Sequence, residues 1–319
     1  MSSGNERPCA MPVAPELRPV ILAGPTAAGK SAVALELAER LGGEIISVDC
    51  MQVYRGMDLG TAKPGPEDRR RVPHHLVDLV PLGASFDAAR FVAWTTRLIP
   101  EIQRRGRVPI LCGGTGLYFN AWMSGLGDAP PPDPALRRQL EEMPDAVLLE
   151  ELARRDPATF DAIDRANRRR LVRAVEVIRL TGRPFSRQRA SWPEDLPTLA
   201  GRSFGLRRER DVAVARIHGR VDAMFEAGLV EETRWLVARG LRENPTARNA
   251  IGYRQVMEHL EGVRGLLETR EAVKVRTRQF AKRQMTWFRG QMSLDWLDVA
   301  DDEPPDRTAI RLMSRLVGG

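Results

Sequence analysis

Eight residues constrain this chain more than any others: Gly24-Pro25-Thr26-Ala27-Ala28-Gly29-Lys30-Ser31. They match G-x-x-x-x-G-K-[ST], the phosphate-binding loop pattern, at every fixed position. The flanks agree with the motif. Val20-Ile21-Leu22-Ala23 is a short apolar run suited to a buried parallel strand, and Val33, Leu37 and Leu41 recur at helical spacing after the loop. The glycines let successive N–H groups face one anion, and the helix N-terminus adds partial positive charge. Lys30 adds a full charge, and the Ser31 hydroxyl stands where Mg²⁺ needs an oxygen ligand. The loop predicts an α/β fold with a parallel sheet and a phosphate-bearing ligand, without saying which.

At 319 residues the chain can bury one large core or two smaller ones. Its net charge of +7 favours an anionic partner, and the excess is mostly arginine, which suits planar phosphate and base contacts. Cys9, Cys50 and Cys112 form no C-x-x-C pair, which argues against a disulfide framework or zinc site and for a reduced, cytoplasmic compartment. No stretch approaches the length of apolar chain a membrane helix needs. Residues 1–18, with Pro8, Pro12 and Pro15, read as a loose tail.

Along the chain, Glu44 to Val48 reads as a second strand ending at Asp49, on the rim where open α/β sheets bind ligands. Asp49 fits three roles: magnesium-holding carboxylate, general base, or turn cap. Residues 49–64 are polar, aperiodic and interrupted by glycine, as a functional loop is. His74 and His75 lack partners at ligand spacing and read as structural or edge residues. Ser85 is expected to cap a helix from Phe86 to Arg105, kinked or broken by Pro100 and ended by Gly106. A third strand, Val108 to Cys112, leads into Gly113-Gly114-Thr115.

The proline-rich Asp128 to Pro134 marks a boundary, after which the pattern is mostly helical to about Arg189, with Leu171, Val172, Val175 and Ile178 as one apolar stripe. From Asp161 to Arg189, nine arginines (165, 168, 169, 170, 173, 179, 183, 187, 189) face three acids (161, 164, 176), an imbalance that suits backbone phosphates. After a second loose stretch, Trp192 to Pro197, Arg202 to Leu206 is expected to rejoin the sheet, and Asp211 to cap the next helix. Arg216 and Arg220 share a helical face, either to close over a phosphate or as surface charges. From Glu271 to Arg289 basic residues interleave with Phe280, Trp287 and Phe288, a composition suited to RNA, with Trp287 also expected to pack in the core.

Several of these stretches together resemble the bacterial tRNA dimethylallyltransferases, also called tRNA isopentenyltransferases. The resemblance rests on Gly24 to Ser31, Ile46 to Asp49, Gln52 to Pro64, Gly113 to Tyr118, Arg170 to Glu176, Ala250 to Arg254 and Thr277 to Gln284, in that order. It implies a core related to P-loop kinases (residues 19–127 and 200–319) and an all-helical tRNA-binding insertion (128–199). It implies transfer of a dimethylallyl group from dimethylallyl diphosphate to N6 of the adenosine 3′ of the anticodon, in tRNAs reading codons that begin with U. The phosphate loop would then hold the donor's diphosphate rather than ATP. The expected partners are the tRNA anticodon stem-loop and the donor, with Mg²⁺ as cofactor and a monomeric enzyme.

For that chemistry Asp49 would take the proton of the amine, while Thr26, Lys30, Arg216 and Arg220 stabilise the leaving diphosphate. Positions matching the family's RNA contacts are Asp49, Cys50, Met51 and Gln52, then Thr115. They continue with Arg169, Arg170, Leu171, Val172 and Arg173, and with Asn249, Ala250, Ile251, Gly252, Tyr253 and Arg254. Charge alone adds Arg137, Lys282 and Arg283. The family usually has serine after the aspartate, where this chain has Cys50, which removes an oxygen acceptor there. Two rival readings are a P-loop kinase of a small metabolite and a nucleic-acid-dependent ATPase. The first leaves the arginine excess unexplained, and the second lacks a second motor domain.

Overall fold

The computed structural model describes residues 14, 17–188, 199 and 201–317. Cys9, Arg189, the Trp192 to Pro197 stretch and most of the expected N-terminal tail lie outside them. Two compact units emerge: residues 1–120 with 194–319, and residues 121–193.

The elements run β1 (Val20–Ala23), α1 (Lys30–Leu41), β2 (Gly43–Val48), α2 (Pro66–Arg71), β3 (His74–His75), α3 (Ala88–Arg104), β4 (Val108–Gly113) and α4 (Gly116–Ser124). Then come α5 (Pro134–Glu142), α6 (Asp145–Arg155), α7 (Pro157–Ala162) and α8 (Arg168–Thr181). The chain closes with β5 (Ser203–Arg207), α9 (Arg210–Glu226), α10 (Leu229–Val237), α11 (Tyr253–Leu260), α12 (Leu266–Gln291), β6 (Asp295–Asp298) and α13 (Pro305–Val317).

The first unit is an α/β fold with a six-stranded sheet in the order β3-β2-β4-β1-β5-β6, every neighbouring pair parallel. Parallel strands need crossovers that cover both faces, so inner strands are largely buried, with β2 burying the polar Glu44 and Ser47 among its apolar residues. All four residues of β1 are fully buried. β1 lies between β4 and β5, so the chain leaves it at the point where strand order reverses, which is where such sheets bind ligands. Beneath the loop that follows, Val33, Leu37 and Ala38 of α1 pack with Ile45, Ile110, Phe204, Leu297, Ala309 and Leu312. None of the described helices is long and apolar enough to cross a membrane.

Several local expectations need correction. α3 starts at Ala88, capped by Asp87, whose carboxylate accepts from Arg90 N at 2.9 Å; Ser85 lies before it. The helix continues through Pro100 to Arg104. Pro100 and Thr96, whose carbonyl loses its partner to the proline, are both on the exposed face, where water can replace the missing donor. At α9 the capping carboxylate belongs to Glu209, which accepts from the Asp211 amide itself. β6 and α13 were not anticipated.

The second unit is helical. α5, α7 and α8 are capped by Asp133, Asp156 and Asn167, each accepting backbone N–H groups of its own first turn. α8 stops at Gly182, in the left-handed conformation at φ 71°. Its core joins Leu140, Leu148, Leu152, Leu171, Val172, Val175 and Ile178.

Candidate active site

The phosphate loop, Asp49, Arg216 and Arg220 surround one cavity of about 500 Å³ at the carboxyl ends of β1, β2 and β4. Gly24 opens the loop at φ 138°, and a Cβ there would meet the Leu206 carbonyl oxygen at 2.5 Å, so only glycine lets β1 turn this closely past β5. Lys30 Nζ donates to Pro25 O at 2.7 Å, folding its ammonium back over the loop. Desolvation pushes Lys30 down to about 8, with Arg220 adding and Asp49 opposing. Ser31 lines the same cavity.

α9 brings its arginines to the loop. Arg220 Nη1 donates to Thr26 Oγ1 at 3.4 Å and Arg216 Nε to Ala27 O at 3.3 Å. Arg216 also approaches Asp301 at 3.8 Å. Burial lowers Arg220, against the pull of Asp49, yet a guanidinium keeps its charge. Lys30, Arg216 and Arg220 thus present three cations to one concave space with one carboxylate, Asp49.

Asp49 caps the turn that follows β2. Its Oδ1 accepts from Met51 N at 2.8 Å and Gln52 N at 3.3 Å, while Oδ2 accepts no hydrogen bond from the described residues. The turn-capping bonds therefore leave Oδ2 without a protein donor among the described residues, on a residue that lines the cavity. Cys50 N donates to Thr115 Oγ1 at 3.2 Å. Burial, with Asp49 adding, pushes the Cys50 thiol up to about 12, so it stays a neutral thiol at physiological pH. Gln52 ties strand to loop: it accepts from Ser47 Oγ at 2.8 Å and donates to the Thr61 and Ala62 carbonyls.

Loop 49–64 is held firmly. Lys63, its ammonium stem almost wholly buried, reaches Tyr54 O, Asp58 and Asp78. Glu232 accepts from Leu59 N, and the Tyr253 hydroxyl donates to Glu232 at 2.5 Å while accepting from Gly60 N. Glu232 carries no motif that would have revealed this, Lys63 lies in the Gln52 to Pro64 stretch without any sign there of its ion pairs, and Tyr253 was assigned another role. Its ring is fully buried, so the side chain of Tyr253 serves as a clamp on this loop. Ala250 and Gly252 are buried too; Asn249 and Arg254 are exposed, and Ile251 is half-buried.

In the helical unit the side chains of Leu171 and Val172 belong to the apolar core, which leaves their backbone, and not their side chains, for any RNA contact at these positions. The arginine excess is also partly spent inside the unit. Glu176, with no exposed surface, accepts from Arg137 at 2.6 Å, Arg173 at 2.7 Å and Asp133 N at 3.0 Å. Arg179 pairs with Glu151, Arg168 with Asp145, and Arg165 stacks 4.1 Å over Phe160. Arg169 and Arg170 are exposed. On α12, Lys282 and Arg283 are exposed and Arg283 lies 5.9 Å over Phe280, the only aromatic among the cavity-lining residues. Phe288 is fully buried, whereas Trp287 is half-buried and meets Phe288 edge-on at 5.2 Å.

Comparison with known proteins agrees with this arrangement. The family model described as IPP transferase matches residues 52–291, and that described as isopentenyl transferase matches 18–81. The chain is 48% identical over 286 residues to the tRNA dimethylallyltransferase of Geobacter metallireducens, covering 88% of this chain and 92% of that protein. The chain belongs to the IPP transferase family. The crystal structure of a full-length tRNA isopentenylpyrophosphate transferase from Bacillus halodurans matches with a TM-score of 0.68 at 40% identity, over 95% of this chain and 97% of that one. A eukaryotic dimethylallyltransferase described as acting on tRNA matches with a TM-score of 0.76 at 26% identity, over 94% and 79%. The core of this family member is thus P-loop-like, with phosphate loop, acidic strand end and α9 arginines in one place.

Proposed function

We propose that this enzyme transfers a dimethylallyl group from dimethylallyl diphosphate to N6 of the adenosine 3′ of the anticodon, position 37. The tRNAs are those reading codons that begin with U, and the products are N6-isopentenyladenosine and diphosphate. One observation carries the reading: three cations and a single carboxylate, Asp49, converge on one cavity whose floor is a phosphate loop.

The chemistry needs both. The exocyclic amine of adenine is a weak nucleophile because its lone pair is delocalised into the ring. As the amine nitrogen bonds the allylic carbon, the carbon–oxygen bond to diphosphate breaks and both electrons leave with oxygen. The loop amides, Lys30, Arg216, Arg220 and the Thr26 hydroxyl stabilise that charge. Asp49 Oδ2 accepts the amine proton. The target base has to leave its stack, which costs roughly a few kcal/mol, least for a loop nucleotide with no pair to open.

Mg²⁺ fits this site in a limited way. Among the described residues no group of three or more His, Cys, Asp or Glu side chains could hold a metal, but Ser31 and Asp49 line the cavity. Mg²⁺ keeps several waters and binds through substrate phosphates, so one or two protein oxygens suffice. Ser31 would hold it, and it would supply charge to the departing diphosphate. Phosphate contacts of the tRNA fall to exposed arginines such as Arg170 and to Lys282 and Arg283.

The test is mass spectrometry of tRNA nucleosides, with mapping of the modified position, in a strain lacking this gene and in the complemented strain. Loss and recovery of N6-isopentenyladenosine at position 37 is expected. Unchanged nucleosides would contradict the proposal.

A further inference from the structure

Gln284 sits on α12, 258 residues from the phosphate loop in sequence, yet its side-chain oxygen accepts from the Thr26 amide at 2.9 Å. Its side-chain nitrogen donates to Gly114 O at 2.9 Å, at the carboxyl end of β4. The residue is 8% exposed and lines the cavity. A Cβ on Gly114 would run into the Gln284 nitrogen, so the glycine leaves room for this amide. The two segments it joins lie on either side of the proposed reaction. Thr26 opens the anion loop and receives Arg220, while Thr115, next to Gly114, receives the Cys50 amide beside Asp49.

We propose that Gln284 is a positioning residue, its carboxamide setting the first turn of the phosphate loop against the segment that supports Asp49. This rests on reading the cavity as a diphosphate site. By accepting the Thr26 N–H, Gln284 turns that donor away from the anion and leaves the following amides to face it. A carboxamide alone suits the position, since it offers an acceptor to one segment and a donor to the other. Glutamate would keep the first bond, lose the second and set a negative charge beside the anion. Methionine would keep length and volume and lose both. α12 does not need the residue in order to dock, because Thr269, Val273 and Phe288 are buried on its packed face.

The experiment titrates inorganic diphosphate with Mg²⁺ into wild-type protein, Gln284→Met and Gln284→Glu, alongside steady-state transfer to tRNA. Gln284→Met is expected to weaken diphosphate binding by about tenfold, the scale of one or two lost hydrogen bonds, and to raise the donor KM with tRNA affinity unchanged. Gln284→Glu should bind diphosphate more weakly still. A role confined to fold stability would lower Tm in both variants and leave diphosphate affinity of the folded protein alone. Should Gln284→Met not fold, Gly114→Ala displaces the same carboxamide and is expected to weaken diphosphate in the same direction. Wild-type binding with Gln284→Met within twofold of it, or with folded Gly114→Ala within twofold where Gln284→Met does not fold, overturns the role of Gln284. Wild-type protein that binds no diphosphate overturns the reading of the cavity itself.

Discussion

Asp49 combines a turn cap with a place in the lining of the cavity. Oδ1 holds the turn, Oδ2 accepts no hydrogen bond from the described residues, and the residue lines the cavity. Asp49→Asn can keep the turn, because its side-chain oxygen still accepts amide protons, but it cannot take one from the amine. It is expected to lower kcat by about 10²-fold or more, the usual scale for a lost general base, with donor affinity retained. Near-normal turnover would exclude the base role, and a selective loss of Mg²⁺ affinity would make Asp49 a metal ligand instead. Lys30 gives a pH signature. Its value in the fold, about 8, lies below the 10.5 of an exposed lysine, so burying its charge costs stability below pH 8, and that cost fades between 8 and 10.5. Anion binding runs the other way. Donor affinity should fall as pH rises through 8, by up to about tenfold per pH unit, as the ammonium is lost. A donor Kd that stays flat between pH 7 and 9.5 would show that Lys30 keeps its proton or does not touch the anion.

At the level of elements, α8 shows two kinds of arginine on one helix. Arg173 and Arg137 neutralise the buried Glu176, whereas Arg170 is exposed. Arg173→Ala strips one partner from a buried carboxylate and is expected to cost about 1–3 kcal/mol of stability, read by chemical denaturation. Arg170→Ala should leave stability unchanged, weaken tRNA binding and reduce the salt slope by about one unit. Equal effects of the two substitutions on stability would contradict this division. Leu171→Ala, in the packed core, should destabilise by about 2–5 kcal/mol. The bonds by which Glu232 pins loop 49–64 and Gln284 pins the phosphate loop were illegible in sequence for a physical reason, although Gln284 closes one of the stretches that carry the resemblance. Their partners, Leu59 and Thr26, lie 173 and 258 residues away, and nothing local in "EETRW" or "KRQMT" signals a bond across that distance.

For the whole molecule, legibility followed locality. The phosphate loop, its strand and its helix are contiguous, so pattern alone placed them. β2 and β4 showed themselves by the apolar residues Ile45, Ile46 and Val48 and Val108, Ile110 and Leu111, because inner parallel strands are buried on both faces, and β5 by its place after the second loose stretch. β6, Asp295 to Asp298, is an edge strand of which only Leu297 is buried, and its acids hid it. Leu171, Val172, Val175 and Ile178 read as one apolar stripe from their spacing, and all four are in the core of the helical unit. The excess of arginine was read correctly as a count, but several of those charges are neutralised within the helical unit itself. The central claim is that the phosphate loop holds a prenyl diphosphate and not ATP. The most direct measurement incubates purified protein and tRNA with Mg²⁺ and either dimethylallyl diphosphate or ATP, and follows modified nucleoside and released phosphate together. The expected result is N6-isopentenyladenosine and diphosphate in equal amounts from the first donor, no tRNA-stimulated phosphate release from the second, and loss of transfer in Lys30→Ala. Phosphate release from ATP that tRNA stimulates and Lys30→Ala abolishes, with no prenylated nucleoside, would contradict it.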